Sequence, residues 1–212
     1  MRCDRSAAHR RPRRSRSPQP DRSVRLGIFG GTFDPPHVGH LLAASDAFEH
    51  LELDRLVLVP AGTQPLKAVR TTAPTEDRLA MVRLTAGNDP RLETDSVEVD
   101  RQGLSYTVDT LTALRLRWPS AELFWLVGAD IVSSFAQWRQ PERIVQLATV
   151  VVLQRAGDIA GGTLPAGMRC LATRRVDVSS TEIRQRVKEG KSVRGFVPDA
   201  VAEFIAAERL YR

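Results

Sequence analysis

Two histidines three positions apart, His37 and His40, close the run Gly30-Gly31-Thr32-Phe33-Asp34-Pro35-Pro36-His37-Val38-Gly39-His40. At helical spacing they share one face. Gly30 and Gly31 let backbone N–H groups approach an anion with no side chain in the way. Thr32 and Phe33 add further N–H donors. Asp34-Pro35-Pro36 stiffens a turn into a helix, whose N-terminus favours phosphate. Gly39 leaves room for a ligand between the imidazoles. Two imidazoles and several N–H groups facing one anion suit charge that develops on a transferring phosphoryl centre. Histidines at i and i+3 also form half of a metal face. No third ligand stands nearby in sequence, so no protein-held metal is expected.

A second constellation lies far along the chain, at Val178-Ser179-Ser180-Thr181-Glu182-Ile183-Arg184. Ser179 and Glu182 have the spacing of a capping box. A helix that starts there presents the Ser180 and Thr181 hydroxyls beside its own N-terminus, a second cradle for phosphate. Arg184 falls four residues after Ser180, on the same face, where a guanidinium grips phosphate oxygens as a fork. Alone, this run reads as an ordinary capped helix with a solvated arginine. Paired with the first run, it reads as the other half of a polyphosphate site.

Together the two runs resemble the nucleotidyltransferase superfamily that carries an H-x-G-H motif after G-x-F-D-P, and an I-S-S-T-x-I-R motif near the C-terminus. Val178 replaces the usual Ile. The resemblance covers roughly Val24 to Arg212. It implies transfer of a nucleotidyl group from a nucleoside triphosphate to a phosphate, with release of pyrophosphate. It implies that His37, His40 and Arg184 are catalytic. Gly30, Gly31, Thr32, Phe33, Ser179, Ser180 and Thr181 would bind ATP, joined by Gly128 and Asp130 of the Leu-Val-Gly-Ala-Asp run, where Asp130 would accept from ribose hydroxyls. Within the superfamily, Ser105 to Leu111 (SYTVDTL) is similar to a segment of the nicotinate-nucleotide adenylyltransferases. That likeness implies Tyr106 and Thr107 near a nicotinate ring, with Thr107 near its carboxylate, Trp138 stacked on the ring, and Lys67 and Arg155 as basic contacts of the mononucleotide. The expected reaction joins ATP and nicotinate mononucleotide, as a step of NAD biosynthesis, with Mg2+ carried by the ATP phosphates. The adenylyltransferases of nicotinamide mononucleotide and of phosphopantetheine are the alternatives. The second usually has Thr at the first His of the motif, which His37 opposes.

The elements that must position these residues alternate. Val24 to Phe29, Leu56 to Val59, Leu123 to Val127 and Val150 to Leu153 are unbroken apolar runs, which is how strands buried on both faces read. Leu92 to Val99 alternates weakly as a further strand. Between them lie helical patterns: one from His37 through Leu51, one from Thr75-Glu76-Asp77 onward, Tyr106 to Trp118, and one ending near Leu147. Helices from Ser179 to Lys188 and from Pro198 follow. Ala61 to Pro74 has no period and reads as a loop. The expectation is an α/β, Rossmann-like, doubly wound parallel sheet with helices on both faces. Ligands in such sheets bind beyond the carboxyl ends of the strands, where the two glycines and Gly128 fall.

Charge is unevenly spread over the 212 residues. Met1 to Ser23 holds eight arginines and two aspartates, while the remaining 23 basic and 23 acidic residues balance. The net charge of +6 therefore belongs to the N-terminal segment, and a basic nucleic-acid-binding body is excluded on charge. Residues 1–23 are poor in apolar side chains and are expected to form a disordered basic tail. That tail is read three ways: as solvated chain, as a segment upstream of a true start near Val24, or as a polyanion binder. Residues 24–212 would form the transferase domain. Cys3 and Cys170 make no disulfide framework, and no apolar run is long enough to span a bilayer. A cytoplasmic protein with no membrane partner is expected, and a homo-oligomer remains open. A nucleotide-binding scaffold without turnover is the rival of another class.

Overall fold

The computed structural model describes residues 22–63, 72–101, 103–155 and 164–212. Most of the proposed tail, Lys67, and the side chain of Arg155 lie outside the described residues. Arg22 does not: its guanidinium donates to Asp54 at 2.6 Å.

Six strands form one sheet. In chain order they are β1 (Arg25–Gly31), β2 (Arg55–Pro60), β3 (Leu92–Thr94), β4 (Glu122–Gly128), β5 (Thr149–Arg155) and β6 (Met168–Thr173). The spatial order is β3-β2-β1-β4-β5-β6, with every neighbouring pair parallel. The chain turns back on itself between β1 and β4, so the crevice of this doubly wound sheet opens at their carboxyl ends.

Alternation along the central strands explains the unbroken apolar runs. Leu26, Ile28, Val57, Val59, Leu123, Trp125, Val127, Val150 and Val152 face one layer. Phe29, Leu56, Leu58, Phe124, Leu126, Val151 and Leu153 face the other. The first face is covered by α3 (Thr107–Arg117) and α4 (Pro141–Leu147) through Val108, Leu111, Leu114, Ile144 and Leu147. The second is covered by α1 (Val38–His50) and α2 (Thr75–Ala86) through Ala44, Ala47, Val82 and Ala86. Each fully buried Leu or Ile contributes roughly 1.5–3 kcal/mol. A third cluster joins α2 to α5 (Ser180–Lys188), α6 (Asp199–Ala207) and the C-terminus through Met81, Ile183, Val201, Ile205 and Tyr211.

Three local expectations are corrected. The strand expected over Leu92 to Val99 stops at Thr94. Asp95 N still donates to Leu58 O, but the Asp95 carboxylate then takes the Val97 N–H at 2.8 Å and turns the chain away. The helix expected between β4 and β5 is two pieces, a 3-10 helix over Ala129–Gln137 and then α4. Gln140 at φ 54 separates them, and Pro141, which has no N–H to donate, begins the second. Sequence patterning also missed β6. Its residues Met-Arg-Cys-Leu-Ala-Thr are largely exposed at the sheet edge, so no buried apolar run marks it.

Candidate active site

A cavity of about 1100 Å³ opens at the carboxyl ends of β1 and β4. It is lined by Gly30, Gly31, Thr32, Phe33, His37, His40, Tyr106, Thr107, Gly128, Asp130, Trp138, Ser179, Ser180 and Arg184. Residues separated by some 150 positions thus share one wall. Thr181 is not on it: its hydroxyl lies 3.2 Å from Arg184 Nη2, which donates to it. Lys67 falls outside the described residues. Arg155 ends β5, and its side chain is not described.

The first turn of α1 builds one side. His37 is the N-cap, in extended conformation, and His40 is the third residue of the helix. His37 N donates to His40 Nδ1 at 3.2 Å, and the two rings lie 3.8 Å apart between centroids, tilted by 33°. His40 also meets the Phe33 ring edge-on at 5.0 Å. The imidazoles therefore form one compact block rather than two independent side chains.

A Cβ on Gly30 would sit 2.6 Å from the Trp125 ring, and one on Gly39 would sit 3.0 Å from the His37 ring. Their missing side chains make room for protein rings, and both glycines line the cavity. At Gly128 the space is taken by the Asp130 carboxylate, whose Oδ1 would lie 2.5 Å from such a Cβ.

The second motif is bonded to the first. Ser179 caps α5 by accepting from Glu182 N at 3.1 Å. Ser180 Oγ donates to Pro35 O at 2.9 Å, and Arg184 Nη1 donates to Asp34 O at 2.7 Å. The start of α5 and the turn before α1 are thus one unit.

Beneath this unit lies a buried polar network. Asp34 accepts from Thr72 N at 2.7 Å, Ala73 N at 3.1 Å and the Tyr211 hydroxyl at 2.8 Å. Burial, with Asp34 beside it, pushes the Tyr211 phenol above its ordinary range. Arg78, on α2, is 0 % exposed. It donates to Thr32 O at 2.8 Å, Ala61 O at 2.6 Å and Thr75 Oγ1 at 3.2 Å. Burial pulls its guanidinium below the usual value, while Asp34 nearby favours the charge. A trans peptide places its C=O and the following N–H on opposite sides. Arg78 therefore holds the Thr32–Phe33 peptide with the Phe33 N–H turned away from its own guanidinium. Phe33 itself sits at φ 49, a left-handed conformation that costs on the order of 1 kcal/mol for a non-glycine. The bond from Arg78 offsets that strain.

The other end of the cavity is aromatic. Tyr106 precedes α3, and Trp138 follows the 3-10 helix, packing against Phe135 with centroids 5.5 Å apart. Arg139 lies over the Tyr106 ring at 4.8 Å. Glu98 is buried there and accepts from Thr110 Oγ1 at 2.8 Å. Burial pushes its carboxyl above the ordinary range, against the bonds that favour the charge.

Sequence reasoning missed Arg78, Arg139, Glu98 and Arg174. Arg174 lines the cavity while paired at 2.6 Å with Asp46, a buried acid of α1. In a chain with 28 arginines, residue type gave no signal for any of the three.

A family model described as cytidylyltransferase-like matches residues 28–186. The chain belongs to the cytidylyltransferase-like family. A relative from Gemmatimonas aurantiaca, named "Probable nicotinate-nucleotide adenylyltransferase", is 50% identical over 197 residues, covering 89% of this chain and 93% of its own. One of the same name from Thermus thermophilus is 46% identical over 190 residues, covering 89% and 100%. Among solved structures, the Plasmodium falciparum nicotinic acid mononucleotide adenylyltransferase complexed with NaAD matches with a TM-score of 0.70 at 15% identity, covering 89% of this chain and 97% of that one. At that identity the likeness bears on the fold.

Members of this cytidylyltransferase-like family generally take their nucleotide with a divalent metal. Among the described residues no three His, Cys, Asp or Glu side chains group to hold an ion. The Asp34 carboxylate is already taken by three donors. A hard cation carried on phosphate oxygens keeps most of its waters and asks for few protein ligands. No helix among the described residues is long and apolar enough to cross a membrane.

Proposed function

We propose that the chain transfers the adenylyl group of ATP to nicotinate mononucleotide, giving nicotinate adenine dinucleotide and pyrophosphate, a step of NAD biosynthesis. The observation that carries this reading is the shared wall of His37, His40, Ser180 and Arg184 at one end of a cavity whose other end is aromatic. The unit responsible would be residues 24–212, acting in the cytoplasm.

The triphosphate lies between the first turn of α1 and the start of α5. Gly30, Gly31, Thr32 and Phe33 border it, and Gly128 and Asp130 take the ribose. A phosphate oxygen of the mononucleotide attacks the α-phosphorus in line. The new P–O bond forms as the bond to the β-phosphate bridging oxygen breaks, and pyrophosphate leaves with that electron pair. His37, His40 and Arg184 neutralise charge on the phosphoryl oxygens, and the N-termini of α1 and α5 add their dipoles. The stacked imidazoles and the bonded Arg184 are held before substrate arrives, so little reorganisation is needed. Mg2+ on the phosphates would supply further neutralisation. Tyr106, Thr107 and Trp138 border the pyridine ring.

The test measures pyrophosphate release from ATP with nicotinate mononucleotide, its amide and phosphopantetheine as separate acceptors. Release is expected fastest with the first. Release with phosphopantetheine alone would overturn the reading.

A further inference from the structure

The cavity has a cationic group at its aromatic end that the chemistry above does not use. Arg139 follows Trp138 directly and lines the cavity. Its guanidinium carbon lies 4.8 Å from the centre of the Tyr106 ring. We infer that Arg139 selects the acid over the amide by presenting its guanidinium to the carboxylate carried by the pyridine ring of the acceptor.

The inference rests on the adenylyl-transfer reading and extends it to one substituent. The acceptor's phosphate must reach the α-phosphorus beside His37 and His40. The rest of that molecule then extends toward Tyr106 and Trp138, and the edge of its ring toward Arg139. The other cavity arginines are engaged elsewhere. Arg184 donates to Asp34 O at the phosphate end, and Arg174 is held against buried Asp46.

The present partner of Arg139 is weak. Its Nη1 stands 3.5 Å from Asp109 Oδ2, and the two side chains are 52% and 41% exposed. An ion pair so open to water contributes little and exchanges readily. A carboxylate brought in by a ring stacked on Trp138 offers both of its oxygens to the guanidinium fork. An amide in the same position offers one acceptor and no charge. Glu98, the buried acid at this end, is pushed by its burial toward the neutral form and so opposes an incoming carboxylate less.

Arg139→Gln tests this with both mononucleotides. In the variant, kcat/KM for nicotinate mononucleotide should fall about tenfold further than kcat/KM for the amide. Arg139→Lys should recover part of that difference, since the charge returns without the fork. Binding of the two mononucleotides followed by Trp fluorescence should show the same split, which loss of packing alone would not produce. Equal losses for acid and amide, or no change in either, would overturn the role of Arg139 and leave the adenylyl-transfer reading standing. Wild-type protein that turns over neither mononucleotide would sink that reading, and this one with it.

Discussion

The two ends of the cavity are built to different standards. At the phosphate end the polar groups are bonded into one unit: buried Arg78 to two carbonyls, buried Asp34 to three donors, and half-buried Ser180 and Arg184 to the turn before α1. At the aromatic end the frame is a nine-residue 3-10 helix in which only Phe135 is buried. Such helices have poorer hydrogen-bond geometry and are seldom this long. Tyr106 and Trp138 are half-buried, and Arg139 is exposed. A triphosphate has the same shape for every acceptor, so the end that meets it gains from rigidity. On the proposed reading, the end that meets the acceptor's ring would discriminate with a few exposed side chains instead. That reading thus separates chemistry from selectivity along one cavity.

Substitutions at the two ends should therefore fail in different ways. The largest effect is expected from His40→Ala, with kcat falling about a hundredfold or more while ATP affinity changes much less, because on the proposed reading the imidazoles act on the transition state. Steady-state kinetics beside equilibrium ATP titration reads this, and parallel losses would mean that the histidine only binds. Arg78→Met removes the bonds to the Thr32 and Ala61 carbonyls and should cost roughly 3 kcal/mol. Denaturant unfolding measures that loss, and the Michaelis constant for ATP should rise with it. Retained stability would break the contrast, since the phosphate end would then not depend on its buried network.

At the aromatic end, Trp138→Ala should raise the Michaelis constant of the mononucleotide by about tenfold, with little change in melting temperature. Lower stability with an unchanged constant would make Trp138 a packing residue. The smallest effect sharpens the same contrast by pH. The folded state raises the Glu98 carboxyl above its unfolded value. Its contribution to stability is thus present below about pH 4.5 and is lost as pH rises through the elevated folded value. Glu98→Gln removes this titration. Relative to wild type, the variant should gain stability as pH goes from 4.5 to neutral, by no more than a few degrees in melting midpoint. A gap that is constant with pH would contradict it.

The central strands were legible because both faces of the sheet are covered, which makes Leu56 to Val59 or Leu123 to Val127 apolar without interruption. β6 was not, since an exposed edge strand needs no such run. The end of β3 was misplaced because the Asp95 side chain, not patterning, turns the chain. In the site, the strand-end run and the capped start of α5 could be read, since backbone-level devices leave marks in residue type and spacing. The direction of side chains does not. Thr181 has the right chemistry but turns to Arg184, and Gly30 and Gly39 make room for Trp125 and His37. Arg78 looked like any other helix arginine, though it is buried entirely.

At the centre of the account stands direct transfer: converging cations and N–H groups neutralise charge between two bound phosphates, and no side chain of the protein takes the adenylyl group. Turnover of ATP made chiral at the α-phosphorus tests this most directly. The account predicts inversion of configuration in the dinucleotide. Retention would require two displacements through a protein-bound adenylyl group, and would contradict it.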